Sequence, residues 1–118
     1  KTENIKFKAK ELGTGKWKEG FLQRDMDYNL CILIAKKEEH SWYWTQIDPS
    51  TVCMFTGLKD KNGTPIYEGD IVMYKDNNAE RRGDINWDSK AAAFCFGQDF
   101  LVHYHSEDMV VVGNKFDK

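Results

Sequence analysis

Phe55 to Lys75 reads FTGLKDKNGTPIYEGDIVMYK, and no other stretch constrains the fold of this chain so tightly. It holds a turn signal at Asn62-Gly63, a proline at Pro65, a Gly-Asp corner at Gly69-Asp70 and an alternating run from Ile71 to Tyr74. Asn and Gly tolerate the positive φ of tight turns, and Pro has no N–H to give a strand ladder. Alternation with a period of two lays one side of a strand on a core. A chain punctuated this way builds short strands joined by turns. No long 3.6-residue hydrophobic period runs anywhere in the sequence, which excludes a helical bundle.

Extended signals continue on both sides of this stretch. Ile5 to Lys10 alternates apolar and cationic residues, Gly13-Thr14-Gly15 is a turn, and Lys16 to Leu22 returns, so a first hairpin is expected. Asn29 to Lys36 is continuously apolar enough for a central strand, with a short helix as the alternative. Ser41 to Ile47 is aromatic and favours a strand. Asp48-Pro49 has the chemistry of a helix start, because Asp accepts a backbone N–H and Pro presets φ, so one helical turn or a tight corner is expected. Val52 to Thr56 resumes as strand, and Lys59 to Gly63 forms a hairpin turn with positive φ at Asn62 and Gly63. Five short strands then follow at Asp70–Lys75, Gly83–Trp87, Ala92–Phe96, Phe100–His105 and Met109–Gly113, each bounded by turn residues. Gly69-Asp70 ahead of this series is the corner that launches the first strand of an SH3-like barrel. The expected fold is mainly β. An N-terminal antiparallel β-subdomain over 1–57 is followed by a C-terminal SH3-like small barrel over 58–118, within one compact body.

A chain of 118 residues, 41% of them hydrophobic and 14% aromatic, can bury a core of this size. Leu30 to Ala35 is its longest apolar run and is too short to cross a bilayer, so no membrane partner is expected. No charged-then-apolar leader opens the sequence, which points to the cytoplasm, and the start at Lys1 instead of Met is consistent with a missing upstream piece. Cys31, Cys53 and Cys95 are odd in number, lack CxxC spacing and sit among apolar neighbours. That usage suits buried reduced thiols rather than a disulfide framework or a nucleophile. The net charge of -2 opposes general attraction to nucleic acid, with the acidic excess concentrated after residue 58.

The block from Ile47 to Asp76, IDPSTVCMFTGLKDKNGTPIYEGDIVMYKD, closely resembles the YopX family of phage and prophage proteins. The family pattern stands here as Asp48-Pro49-Ser50-Thr51-Val52, then Thr56 to Gly63, then Ile66 to Val72. Ile5 to Ala9 is similar to the family's opening strand, and Met109 to Asn114 to its closing one. The motif residues are therefore Asp48, Pro49, Thr56, Gly57, Asp60, Asn62, Gly63, Glu68, Gly69, Asp70, Gly113 and Asn114. The resemblance implies a mainly β protein with an SH3-like C-terminal part, encoded by phages or integrated elements in a bacterial host. It brings no assigned reaction with it.

Four groups of residues merit weighing as sites. Lys6, Lys8 and Lys10 share one side of the first strand. A turn pairing Lys10 with Lys16 would set Lys18 opposite Lys8, so that five cations crowd one face. Like charges facing across strands repel, and an anionic partner would relieve them; the competing reading is an edge hairpin guarded by lysines. Trp42 and Trp44 share a face with Tyr43 opposite, and one side could stack a base or grip a proline, against plain core packing. His103 and His105 on one side of a strand, with Glu107, lack a further ligand at metal spacing, so no metal is assigned. Lys59 to Gly63 could nest a phosphate but more simply makes its turn. The Walker, GxGxxG and GxSxG patterns are absent, and no carboxylates pair as acid and base. The expectation is a non-enzymatic module without cofactor that binds a host or phage protein or a nucleic acid. The alternative is a self-assembling accessory protein, a homo-oligomer formed through strand edges.

Overall fold

The computed structural model describes residues 4–36 and 39–117, and the chain divides into two units, Lys1–Met54 and Phe55–Lys118. In the first, strands β1 (Phe7–Lys10), β2 (Trp17–Arg24), β3 (Leu30–Lys36) and β4 (Ser41–Gln46) form an antiparallel meander in the order β4-β3-β2-β1. The start of the next strand, β5 (Cys53–Lys59), pairs Cys53 with Lys8 and Met54 with Phe7. One side of the meander carries the core, where Ala9, Ile32 and Ile47 are buried and Phe7, Leu22, Leu30, Ile34 and Val52 pack against them. Those on β1, β2 and β3 occupy alternate positions, as the two-residue period requires, and Ile47 and Val52 join them from either side of the Pro49–Thr51 segment.

Asp48 and Pro49 act as their chemistry dictates. Pro49–Thr51 is one 3-10 turn, and the Asp48 carboxylate accepts the Ser50 N–H at 3.0 Å. Buried Thr51 accepts the Lys10 N–H at 2.8 Å and donates to the Asp48 carbonyl at 2.7 Å, which ties the corner to β1.

In the second unit, the remainder of β5 pairs with β6 (Pro65–Tyr67), matching Phe55 with Tyr67 and Lys59 with Pro65 across a bulge that contains Gly57 at φ 87°. Strands β7 (Asp70–Lys75), β8 (Glu80–Asp88), β9 (Ala93–Phe96), β10 (Asp99–Phe100) and β11 (Met109–Asn114) form an antiparallel sheet in the order β10-β9-β8-β7-β11. Its core is Ile66, Val72, Tyr74, Ile85, Phe96, Leu101 and Met109.

The SH3-like barrel expected after residue 58 does not form. This sheet is open, with β10 at one edge and β11 at the other. The reason lies in Phe100 to His105, which the sequence pattern suggested as a strand. Only Phe100 extends β10; Leu101–His103 and Ser106–Asp108 are 3-10 turns. Strand geometry would have put Leu101, His103 and His105 on one side, forcing two imidazoles toward the core beside the leucine. The 3-10 period of three instead sends Leu101 inward and sets Tyr104 edge-on to Tyr74 and Phe96, at 5.0 Å from each ring, with both histidines exposed. The turn therefore leaves the sheet where a closing strand would have to continue. The mainly β, antiparallel character of the chain stands, and the closure does not.

Candidate binding face of the N-terminal sheet

The β1–β2 register decides what the lysines do. Lys8 faces Glu19, Ala9 faces Lys18, and Lys10 faces Trp17. The connection closes with the Glu11 N–H donating to the Lys16 carbonyl at 2.8 Å, so Lys16 meets Glu11 and the register is offset by one residue from a Lys10–Lys16 pairing. A one-residue change reverses the facing of a whole strand. Lys16 and Lys18 consequently lie on the side away from Lys6, Lys8 and Lys10. In their place β2 presents Trp17, Glu19 and Phe21. Lys8 Nζ lies 4.8 Å and Lys10 Nζ 5.5 Å from the Trp17 ring centre, and Lys6 forms an ion pair with Glu19 at 3.6 Å. Five cations do not crowd this face. Three share it with an indole and a carboxylate.

The same face continues across the sheet. Phe21 pairs with Leu33 and Leu33 with Trp44; Ala35 pairs with Trp42; Gln23 pairs with Cys31 and Cys31 with Gln46. Directly paired residues project to one side. Phe21, Leu33, Ala35, Trp42 and Trp44 therefore form a single apolar platform, with Gln23 at its rim, around a concavity of about 420 Å³. The two indoles lie against each other with ring centres 5.6 Å apart and planes inclined by 26°. Neither is core. Trp42 is 61% exposed, Trp44 50% and Phe21 44%. The core-packing reading of the tryptophans gives way because their alternate neighbours, Tyr43 and Thr45, take the side shared with Ile32 and Ile34. The lysine row and the tryptophan pair, which looked unrelated in sequence, stand on one sheet face three strand spacings apart.

The motif residues lie elsewhere and serve the fold. The Asp60 carboxylate accepts N–H groups from Asn62, Thr64 and Val111 at 2.8, 2.9 and 2.9 Å, while the Lys61 N–H donates to the Met109 carbonyl. The loop is thereby filled from within and stitched to β11. Gly63 adopts φ 82°, whereas Asn62 keeps a negative φ, contrary to the expected pair of positive values; Asp60 turns the chain in its place. Asp70 is fully buried and accepts the Tyr67 N–H at 2.7 Å and the Asn114 side-chain amide at 2.9 Å. Gly69 turns at φ 89°, donates its N–H to the Ile85 carbonyl and accepts from the Lys115 N–H. Thr56 donates its hydroxyl to the Ile66 carbonyl at 2.7 Å. Gly113 sits at the bulge where the β11–β7 register shifts, and Glu68 is half-buried in the turn before Gly69.

The remaining candidates lose their arrangement. His103 lies in the first 3-10 turn and His105 caps the second, so they do not share one strand side, and His105 pairs with Glu107 at 3.7 Å. No cluster of three potential metal ligands occurs among the described residues. Cys31, Cys53 and Cys95 are free and buried. Burial, reinforced by Asp25 for Cys31 and by Asp88 and Asp99 for Cys95, pushes these two thiols above their ordinary value. Arg81 donates to Asp99 at 2.7 Å and also to the Tyr104 hydroxyl, while Tyr104 donates to Asp99 at 2.6 Å. The hydrogen bond from Arg81, then that from Tyr104, holds Asp99 below the usual carboxylate range; Asp99 in turn raises Tyr104 and Arg81. All these shifts run away from neutrality, the opposite of what proton transfer near pH 7 needs.

No helix among the described residues is long and apolar enough to cross a membrane. No curated protein and no solved structure gives a significant match to the chain. The family model described as YopX protein matches residues 6–118. With nearly the whole length matched, and with the motif aspartates and glycines accounting for the turns that hold the second unit together, the chain belongs to the YopX family.

Proposed function

We propose that this YopX-family protein is a non-catalytic binding module, acting in the cytoplasm of a phage-infected or prophage-carrying cell, and that its working surface is the outer face of the β4-β3-β2-β1 sheet. The observation that carries the reading is the exposed platform of Phe21, Trp42 and Trp44. Exposed aromatic area of this kind costs solvation and marks a contact surface when it is contiguous. Affinity capture from host lysate, with and without nuclease, tests it by comparing wild type with Trp42→Ser/Trp44→Ser. A reproducible partner, protein or nucleic acid, that the double variant loses supports the reading. Identical capture by both proteins ends it.

One further observation favours a second reading, self-assembly. β4 is the outer strand of its sheet and reads SWYWTQ, without the proline or lysine that guards many edges. Light scattering over a wide concentration range separates the two. A monomer throughout leaves the module reading alone; association that Trp44→Ser abolishes supports assembly.

A further inference from the structure

We infer that the partner of this face is single-stranded nucleic acid, held by stacking of its bases on the Phe21–Trp42–Trp44 platform and by contact of its phosphates with the Lys6–Lys8–Lys10 row. The inference rests on the binding-module reading and names its ligand. A polyanion with flat, stackable bases is the ligand chemistry that uses both halves of the face. Aromatic rings accept any base because every base has a π face, and cations track the backbone beside them. A proline-rich peptide would use the indoles but has no need of a lysine row. An acidic peptide would use the lysines and leave the indoles unused.

Three features fit a single strand in particular. Strands lie about 4.8 Å apart, so the lysine row of β1 and the tryptophans of β4 are separated by about 14 Å. At roughly 3.4 Å per stacked nucleotide, about four nucleotides bridge that distance. Gln23, at the rim of the platform, and Gln46, on the same side, carry amides able to meet the hydrogen-bonding edges of unstacked bases. Finally, a duplex keeps its bases stacked on one another, and its major groove admits a helix or a two-stranded ribbon but not a sheet four strands wide. The positive charge of the row is partly offset on this face, since Lys6 is ion-paired with Glu19, in a chain whose net charge is -2. Binding should therefore be modest in salt dependence compared with a basic protein.

The test is fluorescence anisotropy of end-labelled oligonucleotides of about twelve residues, within the usual single-strand site size, as mixed-sequence DNA, as the equivalent RNA and as a duplex. The full chain is used throughout. Saturable binding of either single strand is expected, clearly tighter than to duplex, and the stronger of the two identifies the natural sugar. Raising salt from 50 to 200 mM should weaken it by about 20-fold if three phosphates are met. Trp44→Ala should weaken it by about tenfold or more, and Lys8→Gln/Lys10→Gln severalfold with a shallower salt slope. Lys90→Gln, on an exposed position of the other unit, should leave it unchanged. Circular dichroism of each variant confirms the fold; because Trp44 and Trp42 are exposed, Trp42→Ala provides a second probe of stacking if one variant misfolds. Absence of single-strand binding, equal affinity for duplex, or indifference to both tryptophans overturns the inference. If lysate capture in that case still returns a protein lost by the tryptophan variant, the module reading stands with a protein ligand. If it returns nothing, both fall.

Discussion

At Gly20, an added Cβ would stand 2.0 Å from the Leu33 carbonyl oxygen and 3.1 Å from Ile32 Cγ2. The obstacle is backbone, which a rotamer change cannot relieve. Gly20→Ala is expected to destabilise the protein by about 3 kcal/mol or more, read from urea unfolding; an unchanged midpoint would mean that β2 and β3 are not so closely apposed there. Asp60 sets a different test. Burial raises its pKa, but the N–H groups of Val111, Thr64 and Asn62 outweigh burial and leave it lowered. A carboxylate lowered on folding contributes stability above its unfolded value near 4 and loses it as pH falls through the folded value. Asp60→Asn, which turns an amide N–H toward one of those donors, should cost about 1–3 kcal/mol at pH 7. Its further loss between about pH 4 and pH 2 should be smaller than that of wild type in parallel acid titrations. Residues such as Asp60 were visible in the sequence as turn formers, because Asx chemistry is local. The Val111 contact was not, since it joins positions far apart along the chain.

Individual elements show the same division. Asp48-Pro49 and the Ile71–Tyr74 alternation were sufficient for a 3-10 turn and a strand, since caps and two-residue periods act over a few residues. The link between β7 and β11 required the folded chain: Asp70 reaches Asn114 only after both strands are paired. Asp70→Ala strips the Tyr67 N–H and the Asn114 amide of that acceptor, and a loss of the order of 3 kcal/mol is expected by thermal and urea unfolding. A loss below a few tenths would show that water substitutes freely at the site. Leu101 to Tyr104 explains why barrel closure failed as an expectation. Its apolar residues fit a strand and a 3-10 turn alike, and the choice fell to the ring contacts of Tyr104 with Tyr74 and Phe96. The hairpin between β1 and β2 was likewise expected, but its loop length sets the register, and the register selects which lysines meet Trp17.

Across the molecule, the three thiols provide a common probe of opening. Cys31 and Cys53 are 1% exposed in the first unit and Cys95 is 5% exposed in the second. Native protein should resist thiol labelling, and modification should rise with urea as each unit opens, followed by mass spectrometry of the labelled peptides. A cysteine that reacts under native conditions at the rate of a free thiol would contradict its burial. The sequence by itself determined a strand-and-turn chain of the YopX family with thiols among apolar neighbours, because glycine, proline, Asx residues and two-residue alternation act on backbone a few positions away. Tertiary structure alone decided that the second sheet stays open and that a lysine row and a tryptophan pair share one face. Register and closure depend on side chains meeting across strands distant in sequence, where a shift of one residue exchanges the two sides of the sheet.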